Sequence, residues 1–173
     1  MSTHPLSKAK IFRCKLCGAI NRVADSGTEN GYTLVCGRCK TTLDLSGAPQ
    51  DVDATALAQA LLCCPVPLLV GFWAPWFQPC RASVPIVDEV ARDHAGTVIT
   101  LMLNTEQEPA PAIVHGVSGL LSARGLGGIP TFILFRAGQE VARRSGVVPR
   151  TQLSQWLDTA RQRSSAVSAS QLG

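Results

Sequence analysis

Two groups of residues in this chain have types and spacings that could do chemistry. The first is Cys14-Lys-Leu-Cys17 with Cys36-Gly-Arg-Cys39, separated by eighteen residues in the pattern C-x2-C-x18-C-x2-C. Two residues between thiolates let one tight turn aim both sulfurs at a tetrahedral ion, and the longer gap lies within the range of four-cysteine zinc ribbons. Gly18 and Gly37 are expected to ease the two turns and let backbone N–H groups approach the sulfurs. The ion would be one structural zinc, because four protein sulfurs leave no position open for a substrate. Two disulfides or four idle buried thiols are the alternatives. The second group is the stretch WAPWFQPCR, Trp73 to Arg81. A dithiol catalyst needs two cysteines with two residues between them. Here Cys80 holds the second position and Phe77 the first.

The elements that must hold these groups follow from pattern. IFRC, YTLVC and TTLDL alternate like short strands around turns, and they mark residues 11–47 as a small module after a flexible arm over 1–10. A module this short buries little core, so a metal would supply most of its folding free energy. SGAPQ, Ser46 to Gln50, is linker-like. The spacing then predicts a helix over DVDATALAQALL, with Asp53 as cap. A strand buried on both faces follows in PLLVGFWA. Residues 79–94 form a second helix with Pro79 in its first turn, and Pro85 is expected to kink it. TVITLMLN is a second buried strand, and 108–124 is helical in part. TFILFRAG and QEVARRSGVV make a hairpin around Ala137-Gly138. TQLSQWLDTARQR is a closing amphipathic helix with Leu153, Trp156, Leu157 and Ala160 on one face. This gives an α/β domain over 51–162 and a disordered tail over 163–173.

Charge is uneven along these parts. Residues 1–50 carry seven Lys/Arg against three Asp/Glu, and residues 51–173 carry nine against nine. A mildly basic module permits an acidic or nucleic-acid partner. With Phe12 and Tyr32 its few aromatics, nucleic-acid binding is the less favoured of the two. The uncharged run from Ala54 to Cys80 is interrupted by Pro65, Pro67, Gly71, Pro75 and Pro79, so it reads as a soluble helix and strand and not as a membrane span. The opening MSTHPLSKAK lacks the apolar core of a secretory signal, and seven cysteines then fit a reducing compartment; the chain reads as cytoplasmic.

PLLVGFWAPWFQPCR, followed later by GGIPTFILFRAGQEV, resembles the thioredoxin family. The resemblance covers about residues 51–160 and rests on Phe72-Trp73-Ala74, Pro79-Cys80-Arg81 and Ile129-Pro130-Thr131. The cysteine module before it narrows the resemblance to the zinc-ribbon-bearing, thioredoxin 2-like bacterial branch. It implies a thioredoxin-like fold, a mixed sheet flanked by helices, and a redox site of Trp-Cys-Gly-Pro-Cys at the start of a helix. It also implies a cis proline at Pro130, beside which an extended substrate peptide pairs.

Carried over residue by residue, the resemblance departs at the reacting groups. Phe77 stands at the nucleophile's position and Gln78 at the usual glycine's. Gly71 replaces a buried acid, and Met102 a lysine found near that acid in many members. Trp73, Trp76, Pro79, Ile129 and Pro130 keep the docking surface, and Phe77 adds apolar area to it. The favoured reading is therefore a degenerate dithiol site that binds protein or peptide segments with weak or absent reductase turnover. A monothiol oxidoreductase acting through Cys80 is the alternative, and only that form would need thioredoxin reductase as partner. Nucleic-acid or protein binding by the zinc ribbon is a second alternative. Cys63 and Cys64 precede a strand of about six residues, which places them on the order of 20 Å from Cys80. A disulfide needs Cα atoms within about 7 Å, so both are read as packing. His4, His94 and His115 are isolated and read as surface or packing residues. The stretch 113–124 exceeds its family counterpart by nearly two turns, and it either lengthens a helix or partly covers the groove at Pro130.

Overall fold

The computed structural model describes residues 9–25, 33–117 and 128–170, with side chains as far as 163. The expected arm over residues 1–8 and most of the 113–124 stretch lie outside the described residues. Two sheets organise the chain. A two-stranded antiparallel ribbon pairs β1 (Lys10–Arg13) with β2 (Ile20–Val23). A five-stranded mixed sheet has the order β3-β5-β4-β6-β7. Its strands are β3 (Gln50–Asp51), β4 (Leu68–Trp73), β5 (Ile99–Asn104), β6 (Thr131–Arg136) and β7 (Gln139–Ser145). β3, β5 and β4 run parallel, and β6 and β7 are antiparallel to their neighbours. The fold is the thioredoxin-like one that the sequence implied.

The central strands are apolar on both faces because both faces are covered. In β4, β5 and β6 every residue but the last is buried. On one face Val70, Phe72, Leu101, Leu103, Ile133 and Phe135 meet α1 (Ala54–Cys63) and α3 (Pro109–Val114). On the other, Leu69, Met102, Phe132 and Leu134 meet α2 (Gln78–Asp93) and α4 (Arg150–Ser170) through Val87, Val90, Leu153 and Leu157. Asp53 caps α1 as expected, accepting from the Ala56 amide at 2.7 Å. The β6–β7 turn places both Ala137 and Gly138 at positive φ, 48° and 76°, as a two-residue hairpin of this twist requires. α2 continues through Pro85 as one helix.

Three local expectations change. Among the described residues TLVC and TTLDL form no strand and meet only in a single bridge, Val35 to Thr42. The strand that partners β1 is INRV, whose polar residues hid it. The tail expected from 163 is helical in its backbone as far as Ser170, since no glycine or proline stops α4 before Gly173. Among the described residues no helix is long and apolar enough to cross a membrane.

The cysteine module is docked on the larger domain by alternation along β1. Phe12 points into the module's own core with Val23 and Leu43. Ile11 points the other way, into the core of the larger domain, and is 4% exposed. Arg13, also buried, donates from Nη1 to Gln50 Oε1 at 2.8 Å, while Gln50 Nε2 donates to the Arg13 carbonyl at 3.0 Å. The Ile11 amide donates to the Gly96 carbonyl at 2.8 Å. Gly96 sits at φ +79°, and a Cβ there would come within 2.5 Å of Lys10 Cβ, so this approach admits only glycine.

Candidate functional site

β4 delivers Trp73 to the end of the sheet, and the chain then turns through Ala74, Pro75 and Trp76 into α2. The Phe77 amide donates to the Ala74 carbonyl at 3.2 Å, and the Arg81 amide to the Phe77 carbonyl at 3.1 Å. Phe77 is thus the N-cap residue of α2, in extended conformation and with no side-chain cap. A cysteine sulfur at this point would face the unsatisfied amides of the first turn, which lower a thiol's pKa. A phenyl ring gains nothing from them. It packs instead against the core beneath, with its centroid 5.8 Å from that of Trp76. Trp76 is 51% exposed.

Cys80 is on the first turn of α2, turned inward and 1% exposed. Burial pushes its thiol pKa up, with the Ala74 amide pulling the other way. Ile129 and Pro130 are joined by a cis peptide bond and both are buried. The Pro130 carbonyl accepts from the Gly146 amide at 2.8 Å. Thr131 shares a hydrogen bond of 2.8 Å with Ser145. Ile129 belongs to the same apolar cluster as Cys80, and Phe77 packs against it. Trp76, Phe77 and Pro130 thus gather at the end of the sheet where β4 finishes and β6 begins. Gly146 was not singled out from the sequence. It borders Pro130, and nothing lies within 4 Å of where its Cβ would be. A glycine directly after a charged strand was the signal available.

Gly71 and Met102 are opposite each other on β4 and β5. A Cβ on Gly71 would lie 2.6 Å from Met102 Sδ and 3.2 Å from Phe132 Cε1. The thioether therefore fills the space a side chain at 71 would take. Trp73 Nε1 is buried and has no hydrogen-bond partner among the described residues. Met102 and Trp73 also line a cleft of about 390 Å³ rimmed by Asp51, Asp53 and Glu108. Cys64 is buried and packs in the core, as read from the sequence, but Cys63 is exposed. Helix α1 ends there, and its last turn faces solvent at that position. Neither reaches Cys80, because the length of β4 separates them, about 20 Å for six residues.

The four cysteines of the ribbon converge. Their Sγ atoms all lie within 4.8 Å of one another, with Cys14–Cys39 and Cys17–Cys36 each at 3.6 Å. Four sulfurs about 2.3 Å from one ion in a tetrahedron are about 3.8 Å apart, so the set fits a metal ion. Each turn is closed in the same way: the Gly18 amide donates to the Cys14 carbonyl at 2.9 Å, and the Lys40 amide to the Cys36 carbonyl at 3.0 Å. The residues at positive φ are Gly18 and Lys40. The expectation for Gly37 is corrected here, because it lies inside its turn at the place Lys15 takes in the other, where no left-handed residue is needed. The amides of Cys39 and Arg38, with Asn21, pull the Cys36 thiol down to about 6 despite burial. Asn21 also accepts from the Gly37 amide at 2.9 Å, and so fixes the second turn from β2. Sequence reading missed Asn21, and its place in a short polar strand gave no signal.

A family model described as Thioredoxin matches residues 50–159. Thioredoxin 1 of Nostoc sp. is 40% identical over 114 residues, which are 66% of this chain and 97% of that protein. The chloroplastic Thioredoxin M5 of Oryza sativa is 27% identical over 157 residues, 91% of this chain and 71% of its own. Among solved structures, the N21Q mutant thioredoxin from Halobacterium salinarum is similar in fold, with a TM-score of 0.56 at 21% identity, covering 68% of this chain and 95% of that one.

Proposed function

We propose that this chain, which belongs to the thioredoxin family, uses that family's scaffold to bind protein segments and turns over disulfides weakly or not at all. The observation that carries the reading is Phe77 at the N-cap of α2, the one position on this helix where a thiol would be activated. Cys80 is left alone, 1% exposed, with its ionisation opposed by burial. A nucleophilic thiol needs thiolate and access, and this one has little of either. The thioether of Met102 over Gly71 supports the same reading, since an apolar group fills the space a buried proton carrier would need.

Binding is the property these changes leave standing. Trp76 and Phe77 offer apolar, partly exposed area at the end of the sheet where β6 begins, and an exposed apolar patch suits the binding of a peptide. The ribbon would hold one zinc ion through Cys14, Cys17, Cys36 and Cys39. Four thiolates suit zinc and close its coordination, so the ion would fold the module and do no catalysis. Seven cysteines carried as thiols suit a reducing, cytoplasmic setting.

The test couples two measurements. Insulin disulfide reduction with a thioredoxin reductase should give no turnover above blank. Turnover that vanishes in Cys80→Ser would establish the monothiol reading instead. An array of extended peptides should show binding that Cys80→Ser leaves unchanged and Phe77→Asp removes. Binding indifferent to Phe77→Asp would overturn the assignment of the surface.

A further inference from the structure

At the end of the sheet that carries Trp76 and Phe77 lies the cleft of about 390 Å³ that Trp73 and Met102 line. We propose that this cleft seats one lysine or arginine side chain of the bound segment, so that the surface selects peptides in which a basic residue stands two or three positions from an apolar one. The inference rests on the peptide-binding reading above and names the class of segment it would take.

The backbone brings the lining together. Asp51 is in register with Met102, Met102 with Gly71, and Asn104 with Trp73. Residues in register, and residues two apart along a strand, leave the sheet on one face. Asp51, Met102, Asn104 and Trp73 therefore leave on the same face, where the parallel strands end. Crevices outside the carboxyl ends of strands are where open α/β sheets take ligands. The Glu108 amide donates to the Asn104 carbonyl at 2.9 Å, which folds Glu108 back over this end, and Asp53 follows Asp51 by two residues.

One side chain would satisfy both parts of the lining. Val52, Trp73 and Met102 are apolar, Asp51, Asp53 and Glu108 bring three carboxylates, and no described cation lines the cleft. Among the described residues none of the three acids forms an ion pair. Asp53 gives Oδ1 to the Ala56 amide and keeps its charge. Arg13, a buried cation that senses Asp53, is held by Gln50. A long basic side chain lays its alkyl stem on apolar surface and sets its charged head among carboxylates, and an indole face adds attraction for the cation. A second, independent observation is Trp73 Nε1, buried with no acceptor among the described residues. Buried donors are nearly always paired, so this wall lacks an acceptor that a peptide carbonyl would supply and a free cation would not. Reach is sufficient. Trp73 and Trp76 are three residues apart, so at most about 10 Å, and an extended peptide covers that distance in about three residues.

The test is fluorescence anisotropy of the full-length protein with three short, end-blocked, dye-labelled peptides. All share a leucine–phenylalanine pair, and they carry lysine, glutamine or glutamate two residues on. The lysine peptide should bind tighter than the glutamine peptide by about fivefold or more, the scale of one well-placed ion pair, and the glutamate peptide weaker than both. Raising salt from about 0.05 M to about 0.5 M should shrink the lysine advantage. Asp51→Asn combined with Glu108→Gln should remove it, and Asp53→Asn, which keeps the cap of α1, should reduce it in part. Phe77→Asp should abolish binding of all three peptides. Equal affinities for the three, with Phe77→Asp still abolishing binding, would overturn the cation site and leave the apolar surface standing. A lysine advantage that survives in the Asp51→Asn, Glu108→Gln protein would overturn the site as well. If none of the three peptides binds, the peptide-binding reading fails and this inference falls with it.

Discussion

Replacing Ile11 by alanine should destabilise a domain to which Ile11 does not belong by sequence. Ile11 is in the cysteine module, two residues before Arg13 and three before the first thiol. Its side chain is 4% exposed and sits in the apolar cluster of the thioredoxin domain with Phe72, Leu101 and Ile133. Truncating a buried isoleucine costs about 2–5 kcal/mol. Taking about 3 kcal/mol, a chain of this size should lose roughly 6–12 °C in Tm. The assay reads the right domain without labels, because Trp73, Trp76 and Trp156 are the protein's three tryptophans and none lies in the module. Denaturant unfolding followed by tryptophan fluorescence should shift by that amount. Removing the proposed zinc ion with a chelator should shift it at least as far, since the whole module would then undock, including the Arg13–Gln50 pair. In the chelated protein Ile11→Ala should add nothing further, as in a cycle where the first change has removed the second's partner. A fluorescence transition that moves by less than about 0.5 kcal/mol in Ile11→Ala, the range of a surface substitution, would refute the docking.

Under the proposed reading, Phe77→Cys should produce only weak insulin reduction, because it places a thiol at the N-cap of α2 with no acid at position 71. Gly71→Asp by itself should lower stability in urea by about 3 kcal/mol, since it drives a carboxylate against Met102 and Phe132 with no partner. Robust turnover in Phe77→Cys alone would show that the missing acid was dispensable. The imidazole of His115 lies 5.9 Å from the Phe72 ring and 5.1 Å from that of Phe135, centroid to centroid. Burial pushes its pKa below the ordinary 6.5, aided by Arg143 and opposed by Glu140. The unfolded chain then takes up the proton at higher pH than the folded one, so stability should fall as pH drops through 6.5 and level off below the folded pKa. Unfolding free energies measured between pH 5 and 8 should show this slope, and His115→Phe should flatten it; an unchanged slope would assign it elsewhere.

What could be read from the sequence was whatever depends on residue type along the chain. The cysteine spacing placed four sulfurs around one point, and the unbroken apolar runs of β4 and β5 announced buried strands. The helix after Phe77 followed from Pro79 and the order of elements, but its start at Gln78, which makes Phe77 the N-cap, did not. What could not be read depends on register and on which face meets which neighbour. Gln50 and Asp51 make a strand only because β5 offers them an edge. Lys40 matches Gly18 only once the two turns are superposed in space. Alternation in IFR says that Ile11 and Phe12 point opposite ways, but not that one of them belongs to the other domain's core.

The same limit bears on the central question about Phe77. Gly71 and Met102 look like two separate losses in the sequence. In the structure the two positions are coupled, because the thioether occupies the room beside the glycine. A side chain at 71 would require the Met102 thioether to move aside, and a lysine at 102 would have no acid to meet while Gly71 stays. Placing an acid and a lysine at these two positions one at a time would therefore pass through a displaced thioether or an unpaired charge. Phe77 differs in kind: it packs against the core and the Trp76 ring, and a single substitution would place a thiol there. Under the proposed reading, the greater obstacle to dithiol chemistry thus lies beneath the helix, in the β4–β5 pair, rather than at position 77.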